Sequence, residues 1–163
     1  MILISHRGNI NGRRVPFENQ PNYIDTALSA GYDVEIDVWY ERESGKLYLG
    51  HDTADYQIDI DWLDERSDKL WIHCKNMDSL SYFNKINTFG PEYNYFSHDK
   101  DMGVLTSYGY IWSTNLYDNG ILVLPEVFEK TPIETTIGIR LHCTDTRRPL
   151  HAVLVPAFSV TTS

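Results

Sequence analysis

Residues 33–41, DVEIDVWYE, combine a strand-forming pattern with two acidic residues two positions apart. Side chains of a strand alternate between its two faces, so Glu35 and Asp37 lie on the same face, with Cα atoms roughly 6.6 Å apart. On an exposed edge strand, this acidic face would simply meet water. If it points inward, the two carboxylates repel each other and lose solvation unless a positive charge lies between them. Mg²⁺ or Ca²⁺ would supply that charge, because both ions prefer hard oxygen ligands.

Segments with strand and helix patterns alternate along the rest of the chain. The predicted strands, besides residues 33–41, are MILIS (1–5), LYLGHD (47–52), KLWIHCKN (69–76), YNYFSH (93–98), GYIWSTN (109–115) and ILVLPE (121–126). The predicted helices are YIDTALSAG (23–31), WLDERSD (62–68) and MDSLSYFNKIN (77–87). The order is mostly strand, helix, strand, which favours a parallel α/β sheet.

Acidic, basic and imidazole side chains recur at the C-terminal ends of the apolar runs. They are His6, Arg7, Glu35, Asp37, His51, Asp52, His73, Lys75 and His98. Parallel α/β folds gather their chemistry at the edge of the sheet where the strands end. We therefore expect these residues to form one site that is assembled from several strands.

The segment WIHCKN, residues 71–76, carries a histidine and a lysine on one face. Alone, it is typical of an exposed antiparallel strand with one polar face. Beside the acidic pair of residues 33–41, the same pattern indicates that His73 and Lys75 point into a shared site. Ile72 and Cys74 lie on the other face and are expected to pack outward beneath the helices.

The residue types in this set match metal-assisted displacement at a phosphodiester. His6 and His51, with an ordinary pKa near ~6.5, can share the roles of general base and general acid near neutral pH. Arg7 offers a fork of N–H donors to phosphate oxygens, and Lys75 offers a point charge. A lone histidine is more often a loop or core residue, so the interpretation depends on the whole set.

Three segments carry a resemblance to a known family: SHRGN (5–9), FENQPNYIDTALSAGYDVEIDV (17–38) and LYLGHD (47–52). They resemble the N-terminal signature of the glycerophosphodiester phosphodiesterase family, within the phospholipase C-like phosphodiesterase superfamily. That signature runs H-R-G, P-E-N-T, a helix ending A-x-x-x-G, E-x-D-V and H-D. The resemblance covers residues 1–52 closely and continues loosely to about residue 126, so this chain would be a short, divergent member.

The resemblance implies metal-dependent phosphodiester hydrolysis and a role for each matching residue. His6 and His51 match the acid–base pair, Glu35 and Asp37 match metal ligands, and Glu18 matches a glutamate that organises the metal or the phosphate-binding arginine. The residues expected to bind the substrate phosphate are Arg7, Lys75 and His98. The attacking group is either water or a neighbouring substrate hydroxyl, which would give a cyclic phosphate.

His73 is a departure from the family pattern. The family's next strand reads E-x-K, with the glutamate as third metal ligand, whereas this chain has His73-Cys74-Lys75. In one hypothesis His73 binds the metal and shifts the preference towards Mn²⁺ or Zn²⁺. In the other, His73 contacts the substrate, and a single Mg²⁺ or Ca²⁺ keeps two protein carboxylates and several waters.

The fold class expected from this resemblance is α/β, a shortened TIM-type (β/α) barrel with several helices reduced to loops. Residues 1–163 would form one phosphodiesterase-like barrel domain, although such barrels take ~250 residues. The segment after about residue 138 has no assigned element. It is either an added hairpin or a sequence that diverged from the family.

Composition and charge restrict the classes of partner. A net charge of −9 and a pI near 5.0 argue against binding to nucleic acid, so the expected partner is a small phosphodiester. The chain has two cysteines, no pattern of a signal peptide and no run approaching the ~20 apolar residues of a membrane span. We therefore expect a cytoplasmic protein. The sequence does not predict its oligomeric state.

Two other functions remain open at this point. Aromatic residues near Trp39 and Trp112 allow peripheral contact with lipid, as in a sphingomyelinase D- or phospholipase D-like enzyme acting on a lipid headgroup. The short chain and the changed third ligand allow a non-catalytic barrel that binds a phosphate ester. The presence of both histidines favours the enzyme, because a pure binder needs no acid–base pair.

Overall fold

The computed structural model describes residues 2–11, 13–88, 92–115, 117, 120–123 and 152–155. These residues form a ten-stranded sheet with few helices. The strands are β1 (Ile2–His6), β2 (Asp33–Glu41), β3 (Lys46–Leu49), β4 (Tyr56–Ile58), β5 (Leu70–Cys74), β6 (Asn94–Phe96), β7 (Gly103–Leu105), β8 (Ile111–Ser113), β9 (Gly120–Val123) and β10 (Ala152–Val155). The helices are α1 (Pro21–Ser29), α2 (Ile60–Asp64), α3 (Met77–Ile86) and a short 3₁₀ helix (Val15–Phe17).

Strand β2 lies at the centre of the sheet and pairs with three other strands. Its first half lies between two parallel strands, with Glu35 opposite His6 of β1 and Asp37 opposite His73 of β5. Its second half pairs with β3, which is antiparallel. From β5 the parallel array continues to β6, and from β1 it continues through β10 and β9 to β8. The expected parallel core is therefore present, with antiparallel strands β3, β4 and β7 added to it.

The expected shortened TIM-type barrel is wrong, because the sheet formed by the described residues does not close. Closure would require β6 to pair with β8. The outer edge of β6 is already used by Ser107, which donates its N–H to the Tyr95 carbonyl at 2.8 Å and accepts the Tyr95 N–H through its hydroxyl at 2.9 Å. Strand β8 is paired with β9 on one edge and with β7 on the other. Both edges that a barrel would join are therefore occupied.

Three strands were not predicted from the sequence. Strands β4 and β7 have three residues each, and neither lies within one of the predicted apolar runs. Strand β10 lies in the tail, where an added hairpin or a diverged sequence was expected. It lies instead between β1 and β9, parallel to both. Apart from β10, the segment after residue 138 lies outside the described ranges.

The core has one cluster on each face of the sheet. The helix-side cluster includes Ile24, Ile36, Ile72, Phe83 and Cys74. The outward packing expected for Ile72 and Cys74 is thus confirmed. The second cluster contains Ile4, Trp71, Phe96, Trp112 and Ile121. Trp71 and His73 are neighbours on the same face of β5. The second cluster therefore forms an apolar floor below the polar residues at the strand ends.

Asn76 links helix α3 to strand β2. Its side chain accepts the Ser79 N–H at 2.8 Å as the N-terminal cap of α3, and donates to the Tyr40 carbonyl at 3.0 Å. We expect Asn76→Ala to lower the free energy of unfolding by about 1 kcal/mol for the cap, and by a similar amount for the bond to Tyr40. Urea denaturation measures this change.

The matched control for this prediction is Asn22→Ala, which replaces an exposed asparagine in the first turn of α1. We expect a change within about 0.5 kcal/mol for the control. Equal effects of the two substitutions would contradict the structural role of Asn76.

Cys74 is a second test of the helix-side core. It is buried, and this burial raises the pKa of its thiol to about 12, only partly opposed by a hydrogen bond with Ser79. In a Cys143→Ser background, the native protein should therefore not react with a thiol reagent near neutral pH, because the thiolate is the reactive form. Unfolded protein should react fully. Rapid reaction of the native protein would show that Cys74 is accessible.

Candidate functional site

The register of the sheet brings the C-terminal ends of β1 and β5 against the middle of β2. His6 lies opposite Glu35, and Asp37 lies opposite His73. Strand β3 runs antiparallel to β2, so its C-terminal end returns to the same place, and the Gly50 N–H donates to the Asp37 carbonyl at 3.2 Å. His51, the residue after Gly50, therefore lies beside the acidic pair, even though β3 is not part of the parallel array.

Glu35, Asp37 and His73 form a buried group that could hold a metal ion. One ligand atom from each residue lies within 4.8 Å of the others. Glu35 is 2% exposed and Asp37 is 0% exposed. His73 Nδ1 lies 2.9 Å from Asp37 Oδ1 and 3.8 Å from Glu35 Oε1. Two carboxylates and one imidazole are ordinary ligands for Mn²⁺ or Zn²⁺, and the two carboxylates alone suit Mg²⁺, so the donor set fits a divalent ion.

Asp37 is surrounded by hydrogen-bond donors and positive charges. The Asn19 side chain donates to its Oδ2 at 2.9 Å and accepts the Asp37 N–H at 3.0 Å. Lys75 Nζ lies 3.5 Å from Oδ1, and His51 Nδ1 lies 3.3 Å from Oδ2. Burial alone would raise the pKa of Asp37, but hydrogen bonds from His51 and His73 and the charge of Arg7 hold this pKa well below its usual value. Asp37 is therefore ionised.

The pKa of Glu35 is shifted in the opposite direction from that of Asp37. Burial, together with the negative charge of Asp37, raises the pKa of Glu35 well above its usual value, and the charges of Arg7 and Lys75 oppose this only in part. Its Oε2 is buried and has no hydrogen-bond partner among the described residues. His6 Nε2 is 3.7 Å from it, which is beyond hydrogen-bond distance. A buried carboxyl oxygen left in this state is a position for a cation.

Arg7 is held in the site by Glu18. Arg7 Nη1 donates to Glu18 Oε2 at 3.1 Å, and Asn9 donates to Glu18 Oε1 at 3.0 Å. Burial alone would raise the pKa of Glu18, but these two hydrogen bonds and the Arg7 charge outweigh it and lower the pKa. Arg7 Nε lies 2.8 Å from Asp37 Oδ2, yet its N–H does not point along this contact. The Nε–H therefore has no hydrogen-bond acceptor in the described part of the chain.

Two residues of this site have backbone angles that are unusual for residues other than glycine. Arg7 has φ 56° and Asn19 has φ 62°. Their backbones are joined, since the Asn19 N–H donates to the Arg7 carbonyl at 3.2 Å. Each such conformation costs about 1–3 kcal/mol and persists only where the surroundings enforce it. Asn19 and Asn9 were not predicted as site residues, although both lie in the quoted signature segments and asparagine tolerates positive φ.

Both ring nitrogens of His73 face hydrogen-bond acceptors. Nδ1 faces Asp37 Oδ1 at 2.9 Å, and Nε2 faces the His98 carbonyl at 3.3 Å. Both partners are acceptors, whereas a neutral imidazole has one N–H. A metal ion at Nδ1 would satisfy the contact that the neutral ring leaves without a proton. With Nε2–H donating to the carbonyl, Nδ1 presents its lone pair to the acidic pair, which is the tautomer of a metal ligand.

The remaining predicted residues lie at the rim of the group. The side chain of His51 is 41% exposed, and its Nε2 lies 3.5 Å from Arg7 Nη2. Lys75 Nζ is 3.4 Å from His51 Nδ1. The His98 ring stacks on His73, with centroids 4.6 Å apart. Burial, followed by the charges of His73 and Lys75, lowers the pKa of His98. An open cavity of about 450 Å³ begins beside these residues and extends to Asp101.

No protein-family profile, curated protein or solved structure matches the chain. The residues of the site are therefore the only basis for assigning a function. Within the described ranges, none of the helices is long and apolar enough to cross a lipid bilayer.

Proposed function

We propose that this protein is a metal-dependent phosphodiester hydrolase that acts on glycerophosphodiesters or related phospholipid headgroup esters. One observation carries the proposal. The site contains a buried carboxyl oxygen without a hydrogen-bond partner among the described residues, Glu35 Oε2, and beside it the buried cation Arg7, whose Nε–H has no well-directed acceptor although Asp37 Oδ2 lies 2.8 Å away. A divalent ion with a bound phosphate ester would satisfy both.

The charges of the site agree with such a pair of ligands. Arg7 and Lys75 contribute two positive charges. Glu18, Glu35 and Asp37, when ionised, contribute three negative charges. The set then has one net negative charge, which a divalent ion would convert into one net positive charge. A phosphodiester carries one negative charge and would complete the balance.

Glu35, Asp37 and His73 are the residues that would hold the ion. When bound, such an ion would polarise the phosphoryl oxygen and stabilise the charge that develops on it. Arg7 would bind a phosphate oxygen through guanidinium N–H groups that Glu18 does not use. Glu18 keeps the guanidinium plane in place for this contact, because it accepts from Nη1 at 3.1 Å.

His6 and His51 are the proposed acid–base pair. Burial, followed by the Arg7 charge, lowers the pKa of His6 to about 3, so this imidazole is neutral at neutral pH and can accept a proton. An anion bound at Arg7 would oppose the Arg7 charge and make His6 a stronger base. His51 Nδ1 faces Asp37 Oδ2 at 3.3 Å. A proton on Nδ1 leaves Nε2 to exchange a proton with the substrate.

The metal proposal predicts a specific gain in stability. At a concentration of Mn²⁺ or Mg²⁺ of 100 Kd, the free energy of unfolding should rise by about 2.7 kcal/mol, measured by thermal unfolding. Glu35→Gln should abolish this rise, because an amide replaces an anionic ligand. Glu41→Gln, on the same strand but exposed, should keep it. A full metal effect in Glu35→Gln would contradict the proposed ligand set.

The same measurement applied to His73→Glu tests the third ligand. If His73 binds the ion, the replacement of nitrogen by oxygen should shift the preference from Mn²⁺ towards Mg²⁺ and Ca²⁺. An unchanged order of metals would place His73 against the substrate instead.

Hydrolysis of bis-p-nitrophenyl phosphate with a panel of divalent ions tests the activity itself. We expect metal-dependent turnover, and a fall in kcat of about 10²–10⁴-fold in both His6→Ala and His51→Ala, because each removes one proton-transfer group. Glu41→Gln again serves as the control. Tight binding of the ester without turnover, under every metal, would contradict the enzyme and favour a protein that only binds phosphate esters.

A further inference from the structure

The loop that carries His51 is attached to strand β2 at two points. Immediately before His51, the Gly50 N–H donates to the Asp37 carbonyl at 3.2 Å. The Gly50 carbonyl accepts the indole N–H of Trp39 at 2.7 Å. Since Asp37 and Trp39 are two positions apart on β2, both attachments come from the strand that also carries the acidic pair.

Gly50 allows this arrangement because it has no side chain. Its φ is 150°, and a Cβ atom at this position would lie 2.0 Å from the Thr53 carbonyl oxygen. The chain turns back at once, with the Asp55 N–H donating to the Leu49 carbonyl at 2.9 Å. The backbone that leads into His51 is therefore a tight loop whose direction depends on its bonds to β2.

The side-chain contacts of His51 do not fix the ring by themselves. Its Nδ1 is 3.3 Å from Asp37 and 3.4 Å from Lys75 Nζ, and its Nε2 is 3.5 Å from Arg7 and 3.6 Å from Asp52. These are long contacts on a side chain that is 41% exposed. The placement of the imidazole consequently depends on the backbone of Gly50. Of the two hydrogen bonds that attach Gly50 to β2, the one from Trp39 is the shorter.

Trp39 does not have the environment of a core tryptophan. It is only partly buried, and it belongs to neither of the two hydrophobic clusters formed by the described residues. It lies on the same face of β2 as Glu35 and Asp37, and it is opposite Tyr48 of β3. A large side chain in this position gains little from burial, so its polar bond to Gly50 is its distinguishing contact.

We infer that Trp39 is a positioning residue for His51. Its indole N–H holds the Gly50 carbonyl, and this bond directs the imidazole towards Asp37 and the acidic pair. The inference rests on the proposed function only in assigning proton transfer to His51. The placement itself can be tested without any activity.

Two substitutions separate the indole N–H from the bulk of the ring. Trp39→Phe keeps an aromatic ring and removes the donor. Trp39→Gln removes the ring but keeps an N–H donor the same number of bonds from Cα. The matched control is Trp62→Phe, because Trp62 packs on the helix-side core and against Arg66.

The first measurement is the ring signal of His51 in a ¹H–¹³C NMR spectrum of the metal-free protein, assigned by its loss in His51→Gln. We expect this signal to move or broaden in Trp39→Phe, and to stay nearer to its native position in Trp39→Gln. It should not change in Trp62→Phe. An unchanged His51 signal in Trp39→Phe would overturn the inference, as would a larger change in Trp39→Gln than in Trp39→Phe.

The second measurement is turnover of bis-p-nitrophenyl phosphate. A positioning role predicts that Trp39→Phe lowers kcat by about tenfold or more with little change in KM, because a small displacement of a reacting group slows the chemical step. Partial recovery of kcat in Trp39→Gln supports the donor as the cause. If the native protein has no activity with any metal, the proposed function fails, and the NMR comparison alone then decides the role of Trp39.

Discussion

The burial of Asp37 is the constraint on which the rest of the site depends. A carboxylate without solvent exposure is unstable unless donors and positive charges replace its water. Asn19 donates at 2.9 Å, Arg7 approaches to 2.8 Å and His73 to 2.9 Å. These residues come from the segment before α1, the segment after β1 and strand β5. One buried charge on β2 therefore joins three other parts of the chain.

Glu35 shows what happens to a second carboxyl group on the same face when the donors are already used. It lies two residues from Asp37, but its Oε2 has no partner among the described residues, and its pKa is shifted upwards by burial and by Asp37. Asp37 thus holds several segments of the protein together, whereas Glu35 still has an oxygen that could bind a ligand. Glu35 is therefore the carboxyl group of the proposed metal site that is least occupied by contacts within the protein.

The same strand connects the fold with the site. The first half of β2 belongs to the parallel array, which brings the ends of β1 and β5 to the acidic pair. Its second half pairs with antiparallel β3, which returns the chain to Asp37 and places His51 there. The apolar floor of Ile4, Trp71 and Phe96 lies on the same face and keeps water away from one side of the group. A closed barrel is not required for this convergence.

Local patterns in the sequence were sufficient for strands β1, β2, β5 and helices α1 and α3, because alternation and helical spacing act over neighbouring residues. They also predicted that Glu35 and Asp37 share a face, as do His73 and Lys75. Sequence spacing could not predict the contact of Ser107 with Tyr95, which occupies the outer edge of β6, or the position of β10 between β1 and β9. Nor could it separate Glu35 from Asp37, since the difference comes from donors such as Asn19 that are distant along the chain. The residue types and the face on which they lie follow from local sequence, whereas partners, charge states and sheet closure depend on long-range contacts that only the folded chain establishes.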